Sequence, residues 1–177
     1  MQVHFSLQHR LLALISVFFL SSPSQGNSTV LKPEEIVTNS VHLHGATFKK
    51  DLAKNPTVLQ FWASWCHRCS TMFSELATLA TDYPNISVIA ISIDENESDA
   101  RAYLQKHASI DSEWSKIIFQ WDEKNHIQSK ISVDSVPTVL LLDKDGAILT
   151  RTNGHFKKSD LFRLKKELDS VEKGVSP

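Results

Sequence analysis

Three short, nearly continuous apolar runs constrain the fold more than any other feature: Thr57–Trp62 (TVLQFW), Ile86–Ile93 (ISVIAISI) and Thr138–Leu142 (TVLLL). Each is long enough for a buried strand and too short for a helix. Between the first two the periodicity turns helical. From His67 to Asp82, Met72, Leu76, Leu79 and Ala80 recur at spacings of three and four, which makes one face apolar, and Tyr83-Pro84-Asn85 ends the pattern. Glu97–His107 reads as a second helix whose opening acids suit a helix N-terminus. Lys116–Trp121 is a weaker strand and Asp122–Ile131 a short helix. Upstream, Val41 and Leu43 suggest a strand turning at Gly45, and Phe48–Lys54 a short helix stopped by Asn55-Pro56. Downstream, Asp143-Lys144-Asp145-Gly146 is a hairpin turn into a strand at Ala147–Arg151. Ser159 then caps an amphipathic helix to Val171, with Leu161, Phe162, Leu164 and Leu168 on its apolar face. This order predicts one α/β domain: a central mixed sheet, mostly parallel with one antiparallel strand, and helices on both faces.

The ends read differently from the middle. Residues 1–26 have the layout of a cleavable export signal: Arg10, then an apolar stretch at Leu11–Leu20, a break at Ser21-Ser22-Pro23, and small Ser24 and Gly26 before a cut at Asn27. This mostly apolar run of ten residues falls short of the about 20 that a spanning helix needs. The expectation is therefore a periplasmic or secreted protein with no stable membrane insertion after cleavage. Residues 27–39 read as a mobile or loosely docked arm, 40–172 as the folded domain and 173–177 as a C-terminal tail. The formal charge is −1 with Lys and Arg scattered along the chain, so no nucleic-acid partner is expected.

The two cysteines, Cys66 and Cys69, are three residues apart. A disulfide closing so short a loop stabilises the fold little, and two Cys fall short of a four-ligand zinc site unless histidines complete it. Their position suggests chemistry instead. Cys66 falls where the first strong strand gives way to a helix, and unpaired N–H groups there favour a thiolate. Cys69, one turn further in, is placed to attack a mixed disulfide formed on Cys66. His67 and Arg68 between them can both be positive, which favours the thiolate and makes the disulfide more oxidising. They can equally point to water and recognise substrate.

Trp62-Ala63-Ser64-Trp65-Cys66-His67-Arg68-Cys69 resembles the active-site segment of thioredoxin-fold proteins, and most of all the exported TlpA/ResA-like thiol–disulfide oxidoreductases. Ser135-Val136-Pro137-Thr138 and the following run to Gly146 resemble that family's later loop, strand and turn. The resemblance spans Ser40 to Val171 and implies a thioredoxin-like fold. It further implies that Cys66 attacks and Cys69 resolves, and that Pro137 is cis with Val136 offering backbone to an extended substrate. Trp65 would cover the sulfurs, unless it packs in the core. The implied partners are protein thiols and disulfides with a thiol electron donor or acceptor; no cofactor or metal is implied. Reduction is the favoured direction, with oxidation or isomerisation as the alternative. Four positions depart from the pattern: Gln60 stands where thioredoxins carry a buried Asp, Met72 where the TlpA-like group carries an acid, His67-Arg68 where Gly-Pro or Glu-Pro is usual, and Ser74 where a helix proline is usual. Glu75 is the nearest acid on the helix and reads as solvated.

A different class of function rests on His42 and His44, which alternate on a strand and point the same way. With the cysteines they would make a copper-handling module; otherwise they are polar side chains on an exposed edge. His107, His126 and His155 read as isolated and solvated. A thiol peroxidase fits less well, because Ala63 stands where a hydroxyl residue would precede the cysteine. Ser64 lacks a hydrolase motif and no glycine-rich phosphate loop is present.

Overall fold

The computed structural model describes residues 30–50, 54–107 and 112–173. The expected signal, the start of the arm, residues 51–53 of the expected Phe48–Lys54 helix and residues 174–177 lie outside the described residues. In chain order the elements are α1 (Pro33–Thr38), β1 (Val41–Gly45), β2 (Thr57–Trp62), α2 (His67–Asp82), β3 (Ser87–Ser92) and α3 (Glu97–His107), then β4 (Ile118–Trp121), α4 (His126–Lys130), β5 (Thr138–Leu142), β6 (Ile148–Asn153) and α5 (Lys158–Glu172).

The six strands form one sheet in the order β1-β4-β3-β2-β5-β6. β2, β3 and β4 are mutually parallel, while β1 runs against β4 and β5 against both β2 and β6. Two strands thus oppose the parallel trio, where the sequence reading had one. The difference lies at β1, a short edge strand whose direction leaves no mark in its apolar pattern. At its end Gly45 has φ +81°, and a Cβ there would sit 2.0 Å from the Ile117 carbonyl oxygen, so only glycine permits this close approach to the chain entering β4.

The step from β2 to β3 to β4 moves one way across the sheet, so right-handed crossovers place α2 and α3 on the same face. There Val58, Trp62, Val88, Val139 and Leu141 meet Phe73 and Leu76 of α2, Leu104 of α3 and Leu164 and Leu168 of α5. The alternate residues Leu59, Phe61, Ile89, Ile91 and Leu140 face the other way, onto Leu31, Ile36, Ile127 and Ile131. On the first face Trp62, Phe73 and Phe119 stand edge to face, with ring centroids 5.1–6.1 Å apart. Because Trp62 ends β2, this cluster anchors the point from which the next loop leaves the sheet.

Expectations at three segments are corrected. The described part of the 27–39 arm is packed: Leu31 and Ile36 are each 1% exposed, and the Leu31 N–H donates to the Gly146 carbonyl at 2.8 Å. The 122–131 segment is not one helix, because Lys124 and Asn125 adopt left-handed backbone (φ 64° and 56°). The buried Asp122 carboxylate accepts the Ile127 and Gln128 amides at 3.0 and 2.7 Å and starts α4 afresh. Finally, α5 begins at Lys158 rather than after a Ser159 cap, with the Lys157 N–H donating to the Asp160 carboxylate at 2.9 Å. Phe162 is 72% exposed rather than on the buried face. It lies about 200° around the helix from Leu164, which sets it on the opposite side.

Candidate active site

From Trp62 the chain crosses Ala63–Trp65 in a tight turn, closed by the Cys66 N–H donating to the Ala63 carbonyl at 3.0 Å. Cys66 is the N-cap of α2, with extended backbone (φ −88°, ψ 91°). It is joined to Cys69 by a disulfide across one helical turn, Cα to Cα 5.5 Å. The two sulfur-bearing residues differ in access: Cys66 is 7% exposed and Cys69 not at all. The first N–H groups of a helix have no partners within it, and the first turn of α2 contains no acid. The positive end of the helix therefore acts on Cys66 without a competing carboxylate in that turn. His67 and Arg68 are exposed, and Trp65 at 65% exposure belongs to the surface rather than the core.

The Val136–Pro137 bond is cis. Its loop is held from β6: the Gly154 N–H donates to the Pro137 carbonyl at 2.7 Å, and the Arg151 guanidinium donates to the carbonyls of Ile131 and Ser132, both at 2.7 Å. Pro137 and Arg68 line a common pocket of about 130 Å³ with Thr71, Met72, Glu75, His155 and Phe156. The first turns of α2, which carry the disulfide, and the cis-proline loop thus meet at one pocket. Of the lining residues that read as solvated, Glu75 is half-buried, while His155 is exposed, as expected, at the edge of this pocket. Phe156 had no sequence signal, because the β6–α5 connection reaches the site only through the sheet order.

Other residues fall elsewhere. His42 and His44 lie exposed on β1, with β4 and β3 between them and β2, about 14 Å across the sheet at the usual strand spacing. A register irregularity separates them, and His42 Nε2 is 3.2 Å from the Ala46 carbonyl oxygen. Among the described residues no group of three or more His, Cys, Asp or Glu is placed to hold a metal. Gln60 is fully buried on the α2 side of β2. Beyond β3, the buried Asp94 carboxylate accepts the Ser64 N–H and hydroxyl, contacts the sequence reading passed over.

A family model described as thioredoxin-like matches residues 54–148, which is more than half of the chain. The chain belongs to the thioredoxin-like family. A thioredoxin-like protein of Haemophilus influenzae is 32% identical over 124 residues, covering 68% of this chain and 70% of that one. The thiol-disulfide oxidoreductase ResA of Bacillus cereus is 28% identical over 114 residues, 63% of this chain. That match spans only 62% of the ResA chain, under two thirds of its length. Among solved structures, a secreted Mycobacterium tuberculosis disulfide oxidoreductase homologous to E. coli DsbE superposes with a TM-score of 0.56 at 20% identity, covering 75% of this chain and 94% of that one. It shares the fold of this thioredoxin-like chain. No helix among the described residues is long and apolar enough to cross a membrane.

Proposed function

We propose that this thioredoxin-like protein is a thiol–disulfide oxidoreductase of an exported compartment that reduces protein disulfides through Cys66 and Cys69. The observation that carries the reading is the disulfide at the N-terminus of α2, with the slightly exposed cysteine on the N-cap and the fully buried one a turn behind it, and with a cis-proline loop that shares a pocket with Arg68 between them. In the reduced protein the Cys66 thiolate attacks a substrate disulfide. One substrate sulfur leaves as thiolate and the other stays bonded to Cys66. The Cys69 thiolate then attacks Cys66 Sγ and releases the second substrate thiol. Two electrons pass to the substrate, and the protein is left with the Cys66–Cys69 disulfide, which a dithiol donor must reduce again.

Trp65 and the Val136–Pro137 backbone flank the sulfurs as a surface for an extended substrate segment, and His67 and Arg68 stabilise the thiolate on Cys66. Thiol–disulfide exchange is supported by the similarity to the thiol-disulfide oxidoreductase ResA, the reductive direction by the resemblance of the Cys66 segment to the TlpA/ResA-like group, and export by the N-terminal sequence. The near alternative, oxidation, draws on Arg68, whose positive charge lies beside His67 in a first turn free of acids. Equilibration of the purified protein with glutathione buffers separates the two. A potential well below the glutathione couple is expected, and one well above it would make the protein an oxidant.

A further inference from the structure

Asp94 is 4% exposed, two residues beyond β3, and no Lys, Arg or His side chain among the described residues forms an ion pair with it. A carboxylate in such a place is unfavourable unless hydrogen bonds compensate it. Here they come from two directions. The Ser92 hydroxyl donates to Oδ2 at 2.7 Å, and the Ser64 N–H reaches both oxygens at 2.9–3.0 Å. The Ser64 hydroxyl adds a third donor to Oδ1 at 2.8 Å. The backbone of Asp94 is itself fixed: the Trp121 indole N–H donates to its carbonyl at 2.8 Å, and its own N–H donates to Ser92 Oγ at 3.1 Å. One rigid acceptor just beyond β3 thus grips the middle of the Ala63–Cys66 turn, two residues before the N-cap sulfur.

We infer that Asp94 is a positioning residue for the exchange reaction: by clamping Ser64 it holds Cys66 at the N-terminus of α2, where the unpaired amides stabilise the thiolate. The inference rests on Cys66 being the attacking thiol. Without the clamp the turn has only the Cys66-to-Ala63 backbone bond to define it, and Cys66 Sγ moves relative to the helix end. The thiolate stabilisation falls off within the first turn of a helix, so a small displacement of the sulfur matters.

The discriminating property is the sign of the change in Cys66 ionisation. Removing a nearby negative charge, by itself, favours the thiolate and lowers the thiol pKa. Releasing the turn raises it. Asparagine keeps the half of the clamp that lies on Oδ1, which still accepts from the Ser64 N–H and hydroxyl, while its Nδ2 replaces the oxygen that accepts from the Ser64 N–H and from Ser92. The experiment follows thiolate absorbance and alkylation rate of Cys66 against pH in the reduced full-length protein, for wild type, Asp94→Ala and Asp94→Asn. The expected result is a Cys66 pKa about one unit higher in Asp94→Ala, with about tenfold slower alkylation at pH below it, and restoration of most of that loss in Asp94→Asn. A pKa lowered in both variants would overturn the inference in favour of a charge effect. An unchanged Cys66 with only a lower melting temperature would overturn it in favour of a structural role. If Asp94→Ala does not fold, Ser64→Ala decides: slower Cys66 alkylation supports the clamp and wild-type kinetics overturn it. An ordinary Cys66 pKa in wild type would instead refute the parent reading, so the two failures are distinguishable.

Discussion

Cys66 and Cys69 carry the same chemical group at two positions that differ by one helical turn and by access to solvent. Substitution should therefore have opposite consequences at the two. Cys66→Ser removes the attacking sulfur, so reduction of insulin disulfides is expected to fall to background; retained activity would refute the assignment. Cys69→Ala leaves the attack intact and removes the release step. Mixed disulfides of Cys66 with substrate proteins should accumulate and be visible on non-reducing gels in the native compartment. Sequence made this pair legible because strand, turn and helix signals met there. It did not make Asp94 legible, since an acid after a strand looks like any loop residue until the sheet places it beside Ser64. His155 and Phe156 were opaque for the same reason: they approach Arg68 only because β6 lies two strands from β2.

At the scale of elements, the helix that presents the cysteines is tied to the rest at both ends. At its N-terminal end Phe119 of β4 packs between Trp62 and Phe73, fully buried. Phe119→Ala should cost about 3–5 kcal/mol in urea unfolding, the range for a fully buried aromatic, and a cost below about 1 kcal/mol would contradict this packing. At the C-terminal end, Tyr83 donates its hydroxyl to Asp169 of α5 at 2.8 Å. Burial first, then the hydrogen bond and charge of Asp169, push the Tyr83 pKa up from 10.0 to about 12. The folded state thus holds this proton more tightly than the unfolded chain does. The contribution of Tyr83 is fully present below pH 10.0 and is lost as pH rises through about 12. Melting curves of wild type and Tyr83→Phe should keep a constant separation below pH 10.0 and converge between there and about 12. Apolar periodicity and the Tyr83-Pro84-Asn85 stop gave α2 to the residue, and the acids that open it marked the start of α3. It misplaced Phe162, because an apolar residue two positions from a buried one looks like part of the same stripe in a short helix but lies across it.

For the whole molecule, a mixed sheet with helices on both faces followed from the order of strong strands and helical segments, and the thioredoxin-like fold from the resemblance carried by Trp62–Cys69 and Ser135–Gly146. The direction of the edge strand β1 and the docking of the segment around Leu31 did not, because both depend on contacts with elements remote in sequence. The full-length chain, expressed in a cell with an export pathway, is expected to be recovered outside the cytoplasm and shortened by residues 1–26, a loss that intact-protein mass reads directly. Retention of those residues in a membrane fraction would mean an anchored protein instead. The central claim concerns one sulfur at one helix end, and its most direct test is alkylation of the reduced wild-type protein as a function of pH, with the modified residue identified by mass. The account predicts that Cys66 reacts with an apparent pKa clearly below the about 8.5 of a free cysteine while Cys69 stays protected. Equal reactivity of both cysteines with an ordinary pKa, or an inert Cys66, would contradict it.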